Sequence, residues 1–185
     1  MNISQADILH EVHARLQIED HMHRWARGAD RNDRDLMLSV FHAGAAVDYG
    51  TYRGPVEKFV DWVMKMHTED LTHTRHKIFN MLIELEGDSA TSEAGVDCTL
   101  GFIGRNGRSE LLLLGRYLDR WEKRDGVWKI AHRRSAVDSY RVVTVQTSDE
   151  IEPLVKGTNA GLRSSDDISY EYIRTAKYDV PPSRL

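Results

Sequence analysis

THTRHKIFNMLIELE (Thr72–Glu86) is followed by ATSEAGVDCTLGFIG (Ala90–Gly104), ELLLLGRYLDRWEK (Glu110–Lys123) and VWKIAHRRSAVDSYRVVTV (Val127–Val145). In these four runs the apolar residues recur with a period near two, the spacing of side chains that alternate across a strand. The breaks between them are Glu86-Gly87-Asp88, Gly104-Arg105-Asn106-Gly107 and Arg124-Asp125-Gly126. Each carries the Gly, Asn or Asp that a tight hairpin turn needs where φ is positive. Long strands joined by short turns predict a curved, mostly antiparallel sheet.

Upstream of Asp70 the period is 3.6. Leu9, Val12 and Leu16, then Ile18, Met22, Trp25 and Ala29, form a helical stripe from Ser4 to about Ala29, with Ser4 and Asp7 spaced as a cap. A second helix reads from about Asp33 to His42. A third follows Gly54-Pro55, with Phe59, Trp62, Val63 and Met66 on one face. One short extended piece, about Ala45–Gly50, lies between them. Helices first and hairpins after define an α+β fold: three N-terminal helices packed on the curved sheet, shaped as a cone-like α+β barrel around one apolar pocket. Residues 1–146 make that domain. Residues 147–185 form a C-terminal extension whose Tyr170, Tyr172, Ile173 and Tyr178 need a surface to cover, on the body or on a neighbouring subunit. The segment Tyr170–Tyr178, ended by Pro181-Pro182, is expected to fold over the pocket mouth.

The chain has 185 residues, 41% hydrophobic and 29% charged, which suits one core. Its net charge of −4, without a clustered basic face, argues against nucleic acid. No apolar run is long enough for a membrane span, and the charged N-terminus is unlike a signal peptide. A single cysteine, Cys98, excludes an internal disulfide and fits a reducing, cytoplasmic setting. His21-Met22-His23, His73-x-x-His76 and the pair His10 and His13 each lack further convergent ligands, so no metal and no cofactor are expected.

Strand alternation puts His76 on a face with Thr74, Ile78, Asn80 and Leu82, and His73 with Arg75, Lys77 and Phe79. His76 is therefore the inward histidine, either a satisfied core residue or a working one. Asp30 ends the first helix within Gly28-Ala29-Asp30-Arg31-Asn32-Asp33, where an acidic residue either caps the next helix or faces inward. A buried Asp against a buried His would hold the imidazole in one tautomer and raise its basicity. Trp62, Trp121 and Trp128 read as packing anchors.

Five ordered blocks carry a family resemblance: Trp25–Asp33, Asp48–Pro55, His76–Asn80, Gly115–Arg120 and Arg124–Ile130. Over about residues 5–142 the chain resembles the SnoaL-like branch of the NTF2-like superfamily. It is similar in type to that branch's cofactor-independent lyases: hexachlorocyclohexane dehydrochlorinase, bile-acid 7α-dehydratase, scytalone dehydratase and a formaldehyde-releasing diarylpropane lyase. The resemblance implies a catalytic dyad on Asp30 and His76, with His76 abstracting a proton, and a pocket arginine on Arg133. It implies a bulky apolar or aromatic small-molecule substrate, contacted by Trp25, Tyr49, Tyr52, Asn80 and Tyr117. Elimination of water or halide, or retro-aldol cleavage, is the reaction type.

Where the family often has Tyr or Lys, five residues before the Asp, this chain has Trp25, which can donate a hydrogen bond but not a proton. Leaving-group help then falls to Tyr49, Tyr52, Tyr117 or Arg133. Two other classes share the fold: non-catalytic ligand binders and the structural small subunits of ring-hydroxylating dioxygenases. The named lyases are trimers, and Leu111-Leu112-Leu113-Leu114, apolar on both faces, suits a homotrimer buried through its sheets.

Overall fold

Ser4 opens α1 (Gln5–Arg31) with a capping box, its hydroxyl accepting from the Asp7 amide at 3.1 Å while the Asp7 carboxylate accepts from the Ser4 amide at 3.2 Å. The computed structural model describes residues 4–146, 148 and 150–173. Only the second half of the predicted stripe is buried. Ile18, Met22, Trp25 and Ala29 enter the core, whereas Leu9, Val12 and Leu16 stand in solvent, because the two-residue step from Leu16 to Ile18 turns roughly 200° around the helix and leaves the first three on its far face. The helix stops where Asn32 takes the left-handed conformation, φ 51°.

Asp33 then caps α2 (Arg34–Ser39), its carboxylate accepting from the Leu36 amide at 2.9 Å. Gly28 lets α2 pack this close, since a Cβ there would lie 2.8 Å from the Met37 side chain. The second helix is shorter than its sequence pattern suggests. Phe41 and His42 already belong to β1 (Phe41–Asp48), because the Val40 carbonyl accepts from the Ile130 amide at 2.9 Å and starts a sheet pairing. A three-residue strand, β2 (Arg53–Pro55), leads into α3 (Val56–Glu69), which buries Val56, Phe59, Val60, Val63 and His67.

Four long strands follow: β3 (Leu71–Glu86), β4 (Ser89–Gly104), β5 (Gly107–Arg124) and β6 (Val127–Thr144). The last hairpin turns on Asp125 and Gly126, both at positive φ, as a two-residue turn requires. The sheet order is β2-β1-β6-β5-β4-β3, antiparallel except where β1 runs parallel to β6. The α+β architecture is as read, but the sheet does not close. It is an open, curved sheet with β2 and β3 at its edges, and the helices cover one face. Trp121 and Trp128 are buried anchors of that layer, Trp121 donating its indole N–H to Ser92 at 2.8 Å.

Irregularities in pairing absorb an extra residue on β3 between Phe79 and Leu82, and on β6 at Asp138, opposite Leu114 and Gly115, and at Ala131, opposite Arg120 and Trp121. Each shifts which residues of its own strand face inward. In β3 the left-handed residue is Asn80, φ 46°.

Beyond β6 come α4 (Glu152–Lys156) and α5 (Ser169–Tyr172). The extension docks beside the end of α1. Tyr170 donates to Asp33 at 2.7 Å with the Arg27 guanidinium 4.5 Å from its ring centre, Arg31 pairs with Asp167 at 3.3 Å, and Arg163 donates to the Leu71 carbonyl at 2.8 Å. Its described residues do not line the pocket, so the expected cover by Tyr170 is not formed. Tyr178, Pro181 and Pro182 lie outside the described residues. Among the described residues no helix is long and apolar enough to cross a membrane.

Candidate active site

The last turn of α1 and the start of β3 bring Asp30 and His76 together. The Asp30 carboxylate accepts from the His76 backbone N–H at 3.0 and 3.1 Å and meets imidazole Nδ1 at 2.7 Å. A carboxylate only accepts, so Nδ1 carries the proton and Nε2 is the nitrogen left for an occupant of the pocket. Asp30 is 8% exposed. Burial works against charge on His76, but the hydrogen bond to Asp30, reinforced by Cys98 across the hairpin, raises the imidazole to about 10.

His76 lies on the wall of a cavity of about 320 Å³ enclosed by α3 and the inner faces of β4, β5 and β6. Phe59, Val63, Val96, Leu111 and Leu113 make it apolar. Trp25, Tyr49 and Tyr117 form an aromatic wall, the Tyr117 ring centre lying 6.5 Å from that of Trp25 and 6.2 Å from that of Tyr49. The Trp25 indole N–H and the Tyr49 hydroxyl are buried without a well-formed hydrogen bond. Burial pushes the Tyr49 phenol up to about 12 and Tyr117 well above its ordinary value, so both remain protonated donors. A larger groove of about 510 Å³ on the other face of the sheet is lined by Glu84, Glu93, Arg120, His132 and Arg134 and contains no comparable pair.

Arg133 sits behind the aromatic wall and not in the cavity. It is fully buried, doubly bonded to Asp119 at 2.7 and 2.8 Å, and its guanidinium stacks 4.1 Å from the Tyr117 ring centre. This excludes both a surface salt bridge and direct contact with an occupant of the cavity as described. Burial opposes the charge, and Asp119 holds it above its ordinary range. One guanidinium nitrogen, Nη1, makes no well-formed hydrogen bond among the described residues.

Two expected contacts are absent. Asn80 is exposed on the bulge, because the extra residue breaks the alternation that would have set it beside His76, and it throws Leu82 to the outer face as well. Tyr52 is spent on the fold. Its hydroxyl donates to the Pro55 carbonyl at 2.9 Å and its ring packs between Phe59 and Trp62. Trp62, read as an anchor, is 46% exposed and lines the cavity.

The cavity is also lined by two chemically capable residues that the sequence did not place there. Cys98 is the register partner of His76. His67 completes the α3 stripe of Phe59 and Val63 at four-residue steps, a signal that was present in the spacing. Its Nδ1 lies 3.3 Å from the Ala29 carbonyl, and burial together with the charge on His76 lowers it to about 4. Among the described residues no three His, Cys, Asp or Glu side chains are arranged to hold a metal ion.

An open curved sheet, three covering helices and an enclosed apolar cavity define a protein of the cystatin-like and NTF2-like class. The chain matches the SnoaL-like domain over residues 10–134 and belongs to that family. No functionally curated protein matches it in sequence. Among solved structures it is similar to hexachlorocyclohexane dehydrochlorinase LinA-type3 from Novosphingobium barchaimii, with 20% identity, a TM-score of 0.65, and coverage of 76% of this chain and 99% of that one. A scytalone dehydratase-like protein from Novosphingobium aromaticivorans superposes with a TM-score of 0.64 at 18% identity, over 75% of this chain and 93% of that one. A variant of a Mycobacterium tuberculosis protein of unknown function is 25% identical with a TM-score of 0.60, over 75% and 78% of the two chains. At these identities the likeness speaks to the fold.

Proposed function

We propose that the chain is a cofactor-independent lyase acting on a bulky, largely apolar or aromatic small molecule. The observation that carries the proposal is the Asp30–His76 pair on the wall of an otherwise apolar cavity. A ligand carrier gains nothing from placing a carboxylate-held imidazole there, whereas an elimination needs a group that moves protons in a site shielded from water. On the aromatic wall, the donors of Trp25 and Tyr49, neither held by a well-formed hydrogen bond, suit an acceptor oxygen or halide on which negative charge develops. Arg133 contributes from behind, through Tyr117 and Tyr49, by keeping that wall electropositive. The same reading includes a cytoplasmic homotrimer, since Phe79, Leu82, Ile103 and Leu114 are exposed together on the sheet's uncovered face.

The test is a screen of cyclic and aryl alcohols, halides and diarylpropanes for elimination or formaldehyde release, with metal removed by EDTA. On a substrate so found, His76→Ala and Asp30→Asn should each lower kcat by at least about 10²-fold while leaving the fold intact. Wild-type turnover in either variant would sink the proposal.

A further inference from the structure

The cavity wall holds a second imidazole that the dyad does not use. His67 ends α3 with its ring centre 6.4 Å from that of His76, and both side chains line the cavity. Their partners differ in kind. His76 Nδ1 meets a carboxylate, whose charge favours a ring carrying two protons, whereas His67 Nδ1 meets only the neutral Ala29 carbonyl, which fixes the Nδ1–H tautomer without the charge that would offset burial of a second proton. Two imidazoles this close do not both ionise readily, and Asp30 settles which one does. The other groups acting on the two rings reinforce the split: Arg163 repels a proton from His67, and Cys98 favours one on His76. Two titratable groups pushed apart by their surroundings are the arrangement of an acid and a base.

Resting on the lyase reading above, we propose that His67 is the general base and His76 the general acid, and that the reaction is the dehydration of an apolar alcohol. His67 Nε2 takes the proton from the carbon beside the carbinol. The C–H electron pair becomes the new π bond as the C–O bond breaks. The oxygen leaves with that bond's electrons and takes the proton of His76 Nε2, departing as water. His67 then releases its proton to solvent and His76 regains one, held by Asp30. A halide would leave without a proton, so a carboxylate-held imidazolium is fitted to a hydroxyl. The acid that Trp25 cannot supply is then His76 itself.

Two measurements on the full chain decide the assignment. In ¹⁵N-histidine spectra at pH 7, His67 should be the neutral Nδ1–H tautomer and His76 doubly protonated; a neutral His76 or a charged His67 overturns it. The probe 5-nitrobenzisoxazole opens with a base and no acid. His67→Leu and the conservative His67→Gln should each lower its turnover at least about 10²-fold, and at least about tenfold further than His76→Gln does. The reverse pattern overturns the assignment and leaves the lyase reading standing. A wild-type protein no faster than free imidazole removes both. Between pH 6 and 9 the probe rate should be flat; a rise of about tenfold per pH unit would return the base to His76 and overturn the inference.

Discussion

His76 stands directly opposite Cys98 across the β3–β4 hairpin, and the bulge at Asn80 is what puts it there. Nearer the turn, Leu82 pairs with Glu93; past the bulge, Phe79 pairs with Gly95, so one residue has been absorbed on β3 alone. Without it, a uniform register would turn the His76 ring to the outer face, because side chains alternate strictly along a strand.

Deleting Asn80, the absorbed residue, should therefore straighten β3 and leave His76 opposite Cys98 with the dyad intact. The strongly hydrogen-bonded Nδ1 proton of His76 expected in NMR of the wild type should persist in the deletion variant, with strand content by circular dichroism unchanged; its loss would mean that the bulge itself is needed to hold the ring against Asp30. A milder probe is conformational. Asn80→Val forces a β-branched residue into the left-handed region and should cost about 1–2 kcal/mol, whereas Asn80→Gly should be nearly neutral, as read from thermal melts.

Asp119 and Arg133 are both fully buried, so each protects the other from being an isolated charge in the core. Asp119→Ala should destabilise by about 3–5 kcal/mol, the range for breaking a buried pair from one side. The double variant Asp119→Leu, Arg133→Met should recover much of that loss in a denaturant melt. A double variant as weak as the single one would mean that the guanidinium is needed for packing against Trp25 and Tyr117.

Stability should fall on both flanks of neutrality, for opposite reasons. Burial holds His21 and His67 neutral, lowered to about 4, so from an ordinary value of about 6.5 downward the unfolded chain takes up protons that the native state refuses. Their effect is a loss of stability as pH drops from about 6.5 toward 4. His76 runs the other way: its stabilisation is complete below about 6.5 and drains away as pH rises toward about 10. Chemical denaturation across pH should show His76→Gln flattening the alkaline limb alone, and His67→Gln easing the acid one.

For the homotrimer, light scattering at micromolar concentration should give three times the 21.2 kDa of one chain. Charges placed at Leu114 and Phe79 should break it to monomers with the fold retained. A wild-type monomer would leave the exposed apolar face of the sheet to some other use.

The period-two runs and their Gly and Asp turns made the four long strands legible, because hairpin chemistry is local. The bulge was not legible, since Asn80 fits a regular strand as easily as an irregular one until β4 is laid beside it. The exposure of Leu9, Val12 and Leu16 was in the spacing all along: their helical stripe is real, but the two-residue step to Ile18 sets it on the far side of α1 from the core. Asp30 and His76 could be named from pattern and resemblance, while the burial of Arg133 behind Tyr117 depends on the pairing irregularity after Arg120. His67 had its signal in the α3 stripe; that it faces a second imidazole is a tertiary fact.

The one parallel pairing, β1 beside β6, joins Phe41 to Ile130 and Val47 to Arg133. During synthesis β1 must wait until almost three-quarters of the chain has left the ribosome before its main partner exists. Contacts of such long sequence separation form late and slowly. The β3–β6 meander can assemble as it emerges, but α1, α2 and β1 are held in suspense, and with them Trp25, Asp30 and Tyr49. A nascent chain stalled before β6 would have its hairpins and no cavity, leaving the apolar face of the meander bare for chaperones to bind.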